Sequence, residues 1–274
     1  DMIIGPNYVE NLLKHLKPGT VVCATRIEPP LHPEGKEKII KDFGMDLDSL
    51  DVKSFEEFCL EKTEEHKDQT TKGMFAPWIL FKKDFQSLGG HDPIFAPFPY
   101  EDSDIFQRWI LAGYNLIQSR DSLVYHLTCR GHRWNKEIGK NDDEFKIFEE
   151  RARRNYLRKW GSWIKNNELQ YPTIIPKYDI GFIIKNCNDK LIEALEPWCS
   201  TVYVKEDEDA IRKYYIVKEQ PNTSFNLSER LKPYDNEKQN EILVEIDGKT
   251  LKIEIIHLNT YENNLIKLET QYNS

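Results

Sequence analysis

Apolar positions recur at helical spacing near the start of the chain. Val9, Leu12, Leu13 and Leu16 predict an amphipathic helix over roughly Tyr8 to Leu16, with Asn7 as candidate N-cap and Pro18-Gly19 as its stop. Val21 to Thr25 reads as a buried strand, and Arg26 to Glu37, with Pro29, Pro30 and Pro33, as a loop. Ile39 to Glu65 is charged and weakly helical, anchored by Phe43, Phe55 and Phe58; the charge run Glu61 to Asp68 reads as a solvated face. Met74 to Phe81 is apolar and aromatic, which predicts a buried strand. Lys83-Asp84-Phe85 opens a short turn or helix that ends at Gly89-Gly90, and Pro93, Pro97 and Pro99 exclude regular structure from His91 to Tyr100. The pairs Ile105/Trp109 and Phe106/Ile110 predict a helix that starts near Asp102 and stops at Gly113. Leu116 to Gln118 and Leu123 to His126 read as two strand segments.

A long helix is expected over Asp142 to Asn166, with Phe145, Phe148, Ala152, Tyr156, Trp160 and Trp163 along one side. Its basic segment, Arg151, Arg153, Arg154, Arg158 and Lys159, has two readings: a solvated face balanced by Glu149 and Glu150, or a contact for an anionic ligand or partner. Beyond a linker at 171–176 the pattern changes. Strands are expected at Asp179 to Ile184 and Thr201 to Val204, with a helix at Asp189 to Leu195 between them. A hairpin is expected from Glu241 to Ile256, turning tightly at Asp247-Gly248, and a last helix from Tyr261 to Glu269. The fold class is therefore α/β, with a larger domain over 1–170 and a small α/β accessory domain over 177–274.

With 39% hydrophobic and 12% aromatic residues in 274, the chain has material for a sizeable core. A formal charge of −8 disfavours nucleic acid as a partner. The five cysteines, Cys23, Cys59, Cys129, Cys187 and Cys199, are scattered and form no CxxC pair. That reads as reduced thiols in a cytoplasmic compartment, not as a disulfide framework or a zinc site. No apolar run approaches a transmembrane span, and no signal peptide is visible. The chain opens on Asp1 and runs directly into what reads as the interior of a domain, so a fragment is expected.

Candidate chemistry gathers between Gly73 and Trp134. Glu101, Asp102 and Asp104 stand together at a helix start, where free N–H groups and the helix dipole favour anions. One acid suffices for capping, however, and adjacent like charges hold a cation or raise a carboxyl toward general-base use. His126 ends an apolar strand, where a histidine is more often a hydrogen-bonded ring than a ligand. Phe95, Phe98, Tyr100 and Trp134 form a candidate aromatic wall, suited to a sugar face or to ordinary packing.

In order along the chain come Asp-Met-Ile, a helix, a strand, Gly-Gly-His-Asp-Pro-Ile-Phe, Glu-Asp-Ser-Asp-Ile-Phe-Gln-Arg-Trp, Ala-Gly-Tyr and Val-Tyr-His. This series resembles the second half of the inverting glycosyltransferases of family 2, which have the GT-A fold, a Rossmann-like mixed sheet with flanking helices. The resemblance covers Asp1 to Trp134 and is most specific over Gly89 to Arg108 together with His126. It implies a hexosyltransferase-type enzyme that moves a sugar from a nucleotide-sugar donor (UDP- or GDP-linked) to a hydroxyl of a glycan or other acceptor.

On the same resemblance Asp102 is the general base, with Glu101 beside it. Gly89, Gly90, His91, Asp104 and Trp134 face donor or acceptor. Asp1, as the last acid of a DxD motif, and His126 are ligands of Mn2+ or Mg2+. The nucleotide-binding half of such a domain and the first DxD acid are not in this sequence, and the resemblance does not reach the C-terminal unit. The competing expectation is a non-catalytic carbohydrate-binding or assembly module on the same scaffold. A metal-dependent phosphoesterase ranks lower, since one short acidic cluster is thin for a two-metal site.

Overall fold

The spine of the first half is a strand longer than the apolar run that announces it. A computed structural model of the chain describes residues 1–31, 33–46, 48–127, 134–135, 140–141, 143–234 and 240–258. Contacts group these into two compact units, one of residues 1–149 and 164–174, the other of residues 150–163 and 175 onward.

The first unit runs β1 (Met2–Ile4), α1 (Tyr8–His15), β2 (Thr20–Glu28), β3 (Lys38–Ile40), α2 (Val52–Glu65), β4 (Thr70–Thr71), β5 (Trp78–Ile79), α3 (Lys82–Ser87), α4 (Glu101–Leu111) and β6 (Asn115–His126). Then follow β7 (Trp134–Asn135), β8 (Lys140–Asn141) and the first turns of α5 (Asp143–Trp160). A mixed six-stranded sheet has the order β1-β6-β2-β3, with β4 on β6 and β5 on β2. All nine residues of β2 are buried. Strand alternation divides its side chains: Val22 and Ala24 pack with Leu12 of α1, while Val21 and Cys23 pack with Ile105 and Trp109 of α4. Phe43, Phe55 and Phe58 do anchor the α2 region, clustered around Tyr125 of β6.

Two expectations fail here for physical reasons. Met74 to Phe81 yields only the two-residue β5, because Pro77 has no N–H to give a ladder and only its carbonyl bonds back, to Ala24 N. Conversely, the two segments after α4 form one twelve-residue strand. Its polar middle is buried because each group there has a partner. Asp121, fully buried, accepts from Ser119 Oγ and Asp68 N, and its carbonyl takes Asn11 Nδ2 and Thr63 Oγ1. Asn7 sits before α1 in the left-handed region (φ 58°) and makes no side-chain cap.

The second unit holds the last turns of α5, then β9 (Ile180–Lys185), α6 (Asp189–Leu195), β10 (Thr201–Val204), α7 (Asp209–Glu219), α8 (Leu227–Arg230), β11 (Leu231–Pro233), β12 (Ile242–Asp247) and β13 (Ile253–Leu258). The sheet order is β11-β10-β9-β12-β13, with the first four parallel and β13 antiparallel at the edge. The chain thus winds outward from β9 in both directions, and the switch lies between β9 and β12. Open sheets of this kind bind ligands in a crevice at that switch. Here it is bridged: Gly248 N donates to Lys185 O (2.8 Å) and Asn186 Nδ2 to Asp247 Oδ1 (3.1 Å). A Cβ on Gly248 would lie 2.4 Å from Asn186 O, so only glycine permits this closure. The hairpin is looser than Asp-Gly predicts. Its connection runs to Lys252, and the left-handed residue is Leu251 (φ 56°).

The basic segment of α5 follows neither expected reading as a whole. Arg153 is half-buried and pairs with Glu150, but Arg158 is fully buried and Arg154 nearly so, each in ion pairs with acids far along the chain. The expected helix at Tyr261 to Glu269 lies outside the described residues. So does Cys129, while Cys23, Cys59, Cys187 and Cys199 are free and buried. No helix among the described residues is long and apolar enough to cross a membrane.

Candidate functional site

The acidic helix start is built by α4 and the turn that faces it. Tyr100 adopts φ 77° immediately before the helix, so Glu101 and Asp102 stand in its first turn. Asp102 is half-buried. Burial, then the charge of Glu101, pushes its carboxyl up to about 6, while His91 and a hydrogen bond from Trp78 oppose the rise. Oε2 of Glu101 is buried and has no hydrogen-bond partner among the described residues, as is Nε1 of the fully buried Trp109. Trp78 is the hub of the apolar wall behind these acids. Its ring meets Trp109 edge-on at 4.9 Å, Phe85 at 5.9 Å and His91 at 6.0 Å.

Gly89 (φ 80°) and Gly90 (φ 64°) close the turn after α3. Arg108 fastens that turn to α4, donating to Leu88 O at 2.7 Å and to Gly90 O at 2.6 Å. Asp104 is fully buried and accepts from Arg108 Nε at 2.8 Å, so its carboxylate faces into the packing. Of the expected aromatic wall, Phe95 is a core residue at 1% exposure and Phe98 stacks on Phe145. The side chain of Trp134 lies outside the described residues.

Asp1 and His126 meet at the far end of β2 and β6. The pairing of β1 with β6 places Met2 opposite His126, and Asp1 Oδ1 lies 3.7 Å from His126 Nε2. His126 Nδ1 donates to Glu28 Oε1 at 3.0 Å. Glu28, 2% exposed in its side chain, also accepts from Arg26 and Lys38. Burial alone would raise its carboxyl; the His126 hydrogen bond, Arg26 and Lys38 together outweigh burial and hold it at about 2.

A histidine oriented through one nitrogen by a carboxylate, with the other nitrogen facing a second acid, fits a pair of ligands for a divalent cation. The pair is incomplete. Among the described residues no three His, Cys, Asp or Glu side chains are grouped to hold a metal ion, and Glu28 is already committed to two cations.

The expected site residues therefore fall into two sets. Glu101, Asp102, Gly89, Gly90, His91 and Asp104 gather around α4, and Asp1 and His126 gather at the sheet end. Trp78 pairs with Cys23 on β2, and Glu28 lies five residues further along, about 16 Å on an extended strand. Trp78, Glu28 and the role of Arg108 escape the sequence reading. The alternation Arg26-Ile-Glu28 at the end of a buried strand was a usable signal for Glu28, and nothing local marks Trp78. Comparison of the chain with family models, with curated proteins and with solved structures returns no match.

Proposed function

We propose that this chain carries the acceptor-side half of an inverting, metal-dependent glycosyltransferase of family 2 with a GT-A-like fold. Asp102 is the observation that carries the reading: a half-buried carboxyl at a helix start, raised to about 6 by burial and by Glu101, against an aromatic wall and a Gly-Gly turn. A base of that strength is ionised at neutral pH and still takes up a proton readily. In the proposed step the acceptor oxygen bonds to the anomeric carbon, its proton passes to Asp102, and the bond from that carbon to the nucleoside diphosphate breaks on the opposite side. Glu101 keeps the base strong by disfavouring a second negative charge beside its own, and a hydrogen bond from Trp78 steadies the ionised form. A divalent cation held by Asp1 and His126, when bound, would neutralise charge growing on the departing diphosphate. The reading needs a ligand long enough to engage both sets of residues, as a nucleotide sugar with its acceptor is.

The test is Asp102→Asn in the parent enzyme, with its nucleotide-binding half in place. Transfer should fall by about 10³-fold or more while donor affinity stays within a factor of two or so. Wild-type activity should decline as pH drops through about 6, where Asp102 takes up its proton. Retained turnover in the variant would exclude the base role.

A further inference from the structure

The two edges of the second sheet are finished differently. β11 is three residues long and ends in Pro233, which has no N–H to give a further strand. β13 is six residues long, carries no proline and pairs with β12 on one side; no strand lies beyond it among the described residues. Ile253 is 66% exposed, Ile255 63%, and Leu251, just before the strand, 70%. An apolar edge of this kind accepts another strand unless a charge, a proline or a bulge blocks it. The one register shift in the pairing with β12, between Leu243 and Val244, falls beyond Ile255 and leaves 253–255 regular.

The backbone determines which groups face outward. Asp247 N donates to Lys252 O at 2.9 Å, so that carbonyl is aimed at β12. Alternation along an antiparallel strand then turns N–H and C=O outward at Ile253 and Ile255, and inward at Glu254. The charges determine the register. Lys252 and Glu254 flank Ile253, and within one chain they pair with each other at 2.5 Å. When two copies of the strand run antiparallel about Ile253, each Lys252 stands opposite the Glu254 of the second copy. Centring one residue further on opposes the two copies of Glu254, and centring on Ile255 sets Glu254 opposite Ile256. Opposite charges across a strand pair stabilise and like charges destabilise, so the first register is favoured. Its two-fold axis also closes the assembly, since each β13 covers the other.

We propose that β13 is a homodimer interface, at which two copies of this chain pair antiparallel about Ile253 and join their sheets into one. The Lys252 and Glu254 of each copy exchange their partner within the chain for one across the axis, and Ile253 meets Ile253 at the centre. The proposal is independent of the reading of Asp102, because every residue in it belongs to the second unit.

The experiment is sedimentation equilibrium of the full chain over a range of concentrations, for wild type, Ile253→Lys, Lys252→Glu and Glu254→Lys. Wild type should pass from monomer to dimer as concentration rises. Ile253→Lys sets two cations against each other on the axis and should remain a monomer. The position is exposed, so the fold should persist, which circular dichroism checks. Each charge variant carries a single sign on both sides of Ile253 and should dimerise about tenfold more weakly. An equimolar mixture of Lys252→Glu and Glu254→Lys should recover the lost affinity, because the acids of one copy then face the lysines of the other. Association through the exposed isoleucines alone would leave both charge variants unchanged. A wild-type chain that is monomeric throughout, because another part of it covers the edge, overturns the proposal. So does a dimer that survives Ile253→Lys, or a mixture of the charge variants that stays as weak as either alone.

Discussion

Two clusters of like charge lie in the two units, and they are resolved in opposite ways. In the second unit Arg154, Arg158 and Arg230 meet Glu196 and Glu219. Glu196 takes Arg158 and Arg230, while Glu219 takes Arg154, Arg158 and Asn222. Burial, which would lower the Arg158 guanidinium, is outweighed by Glu196 and Glu219, and its proton is held more tightly than in water. In the first unit Glu101 and Asp102 stand together; among the described residues no cation forms an ion pair with them and one oxygen of Glu101 has no partner, and Asp102 is pushed toward its neutral form. A buried charge that is fully paired is architecture. Adjacent acids left short of partners cost stability, and proteins retain such costs where a ligand or proton is handled.

The sharpest way to break this comparison is to remove a partner from the satisfied cluster. Arg158→Met removes the cation that Glu196 and Glu219 share, leaving only Arg230 on one and Arg154 on the other, and should destabilise by about 3–5 kcal/mol, read by urea unfolding. A loss below about 1 kcal/mol would mean the network is not what holds those helices. Glu28→Gln comes next. Its carboxyl falls from an ordinary 4.5 to about 2 on folding, so its contribution is present above pH 4.5 and is lost as pH falls through 2. The variant should cost about 2–3 kcal/mol at pH 7 and little at pH 2.

Asp102→Asn should behave in the reverse sense. A carboxyl raised from 3.8 to about 6 on folding opposes folding fully above pH 6 and not at all below about 4. Removing its charge should therefore stabilise by about 1–2 kcal/mol at pH 8, after allowance for its partial exposure, with the gain fading between pH 6 and 4. A variant less stable at pH 8 would show that Asp102 is structural. The smallest effect is expected from Gly89→Ala, where a Cβ meets nothing within 4 Å but φ is 80°. The left-handed conformation alone should cost about 1 kcal/mol.

The same pair of clusters shows what was legible in the sequence. As strings, Glu-Asp-Ser-Asp and Arg-Ala-Arg-Arg are each a short run of like charge on a helix. What separates them is the partner: Glu196 is 38 residues from Arg158 and Glu219 is 61, a distance no local pattern spans. Local signals did place α6 and β10 at the expected residues, because helix N-caps and short β-branched runs are local physics. They divided β6, whose polar middle is held by Asn11, Thr63 and Asp68 from elsewhere in the chain. At the candidate site, the acid cluster stood out by type and spacing, whereas Gly89, Gly90 and His91 were named only through the family resemblance. Trp78 and the role of Arg108 were legible by neither route, since each acts through a fold-dependent contact.

The bridged switch of the second unit has a consequence in time as well as in space. Loop amides ordinarily trade hydrogen with solvent quickly, but the amides of Gly248 and Cys187 are committed, to Lys185 O and to Glu208 Oε1 at 2.6 Å. Both should exchange as slowly as the central strands, so that the rim of this sheet opens only when the sheet itself unravels.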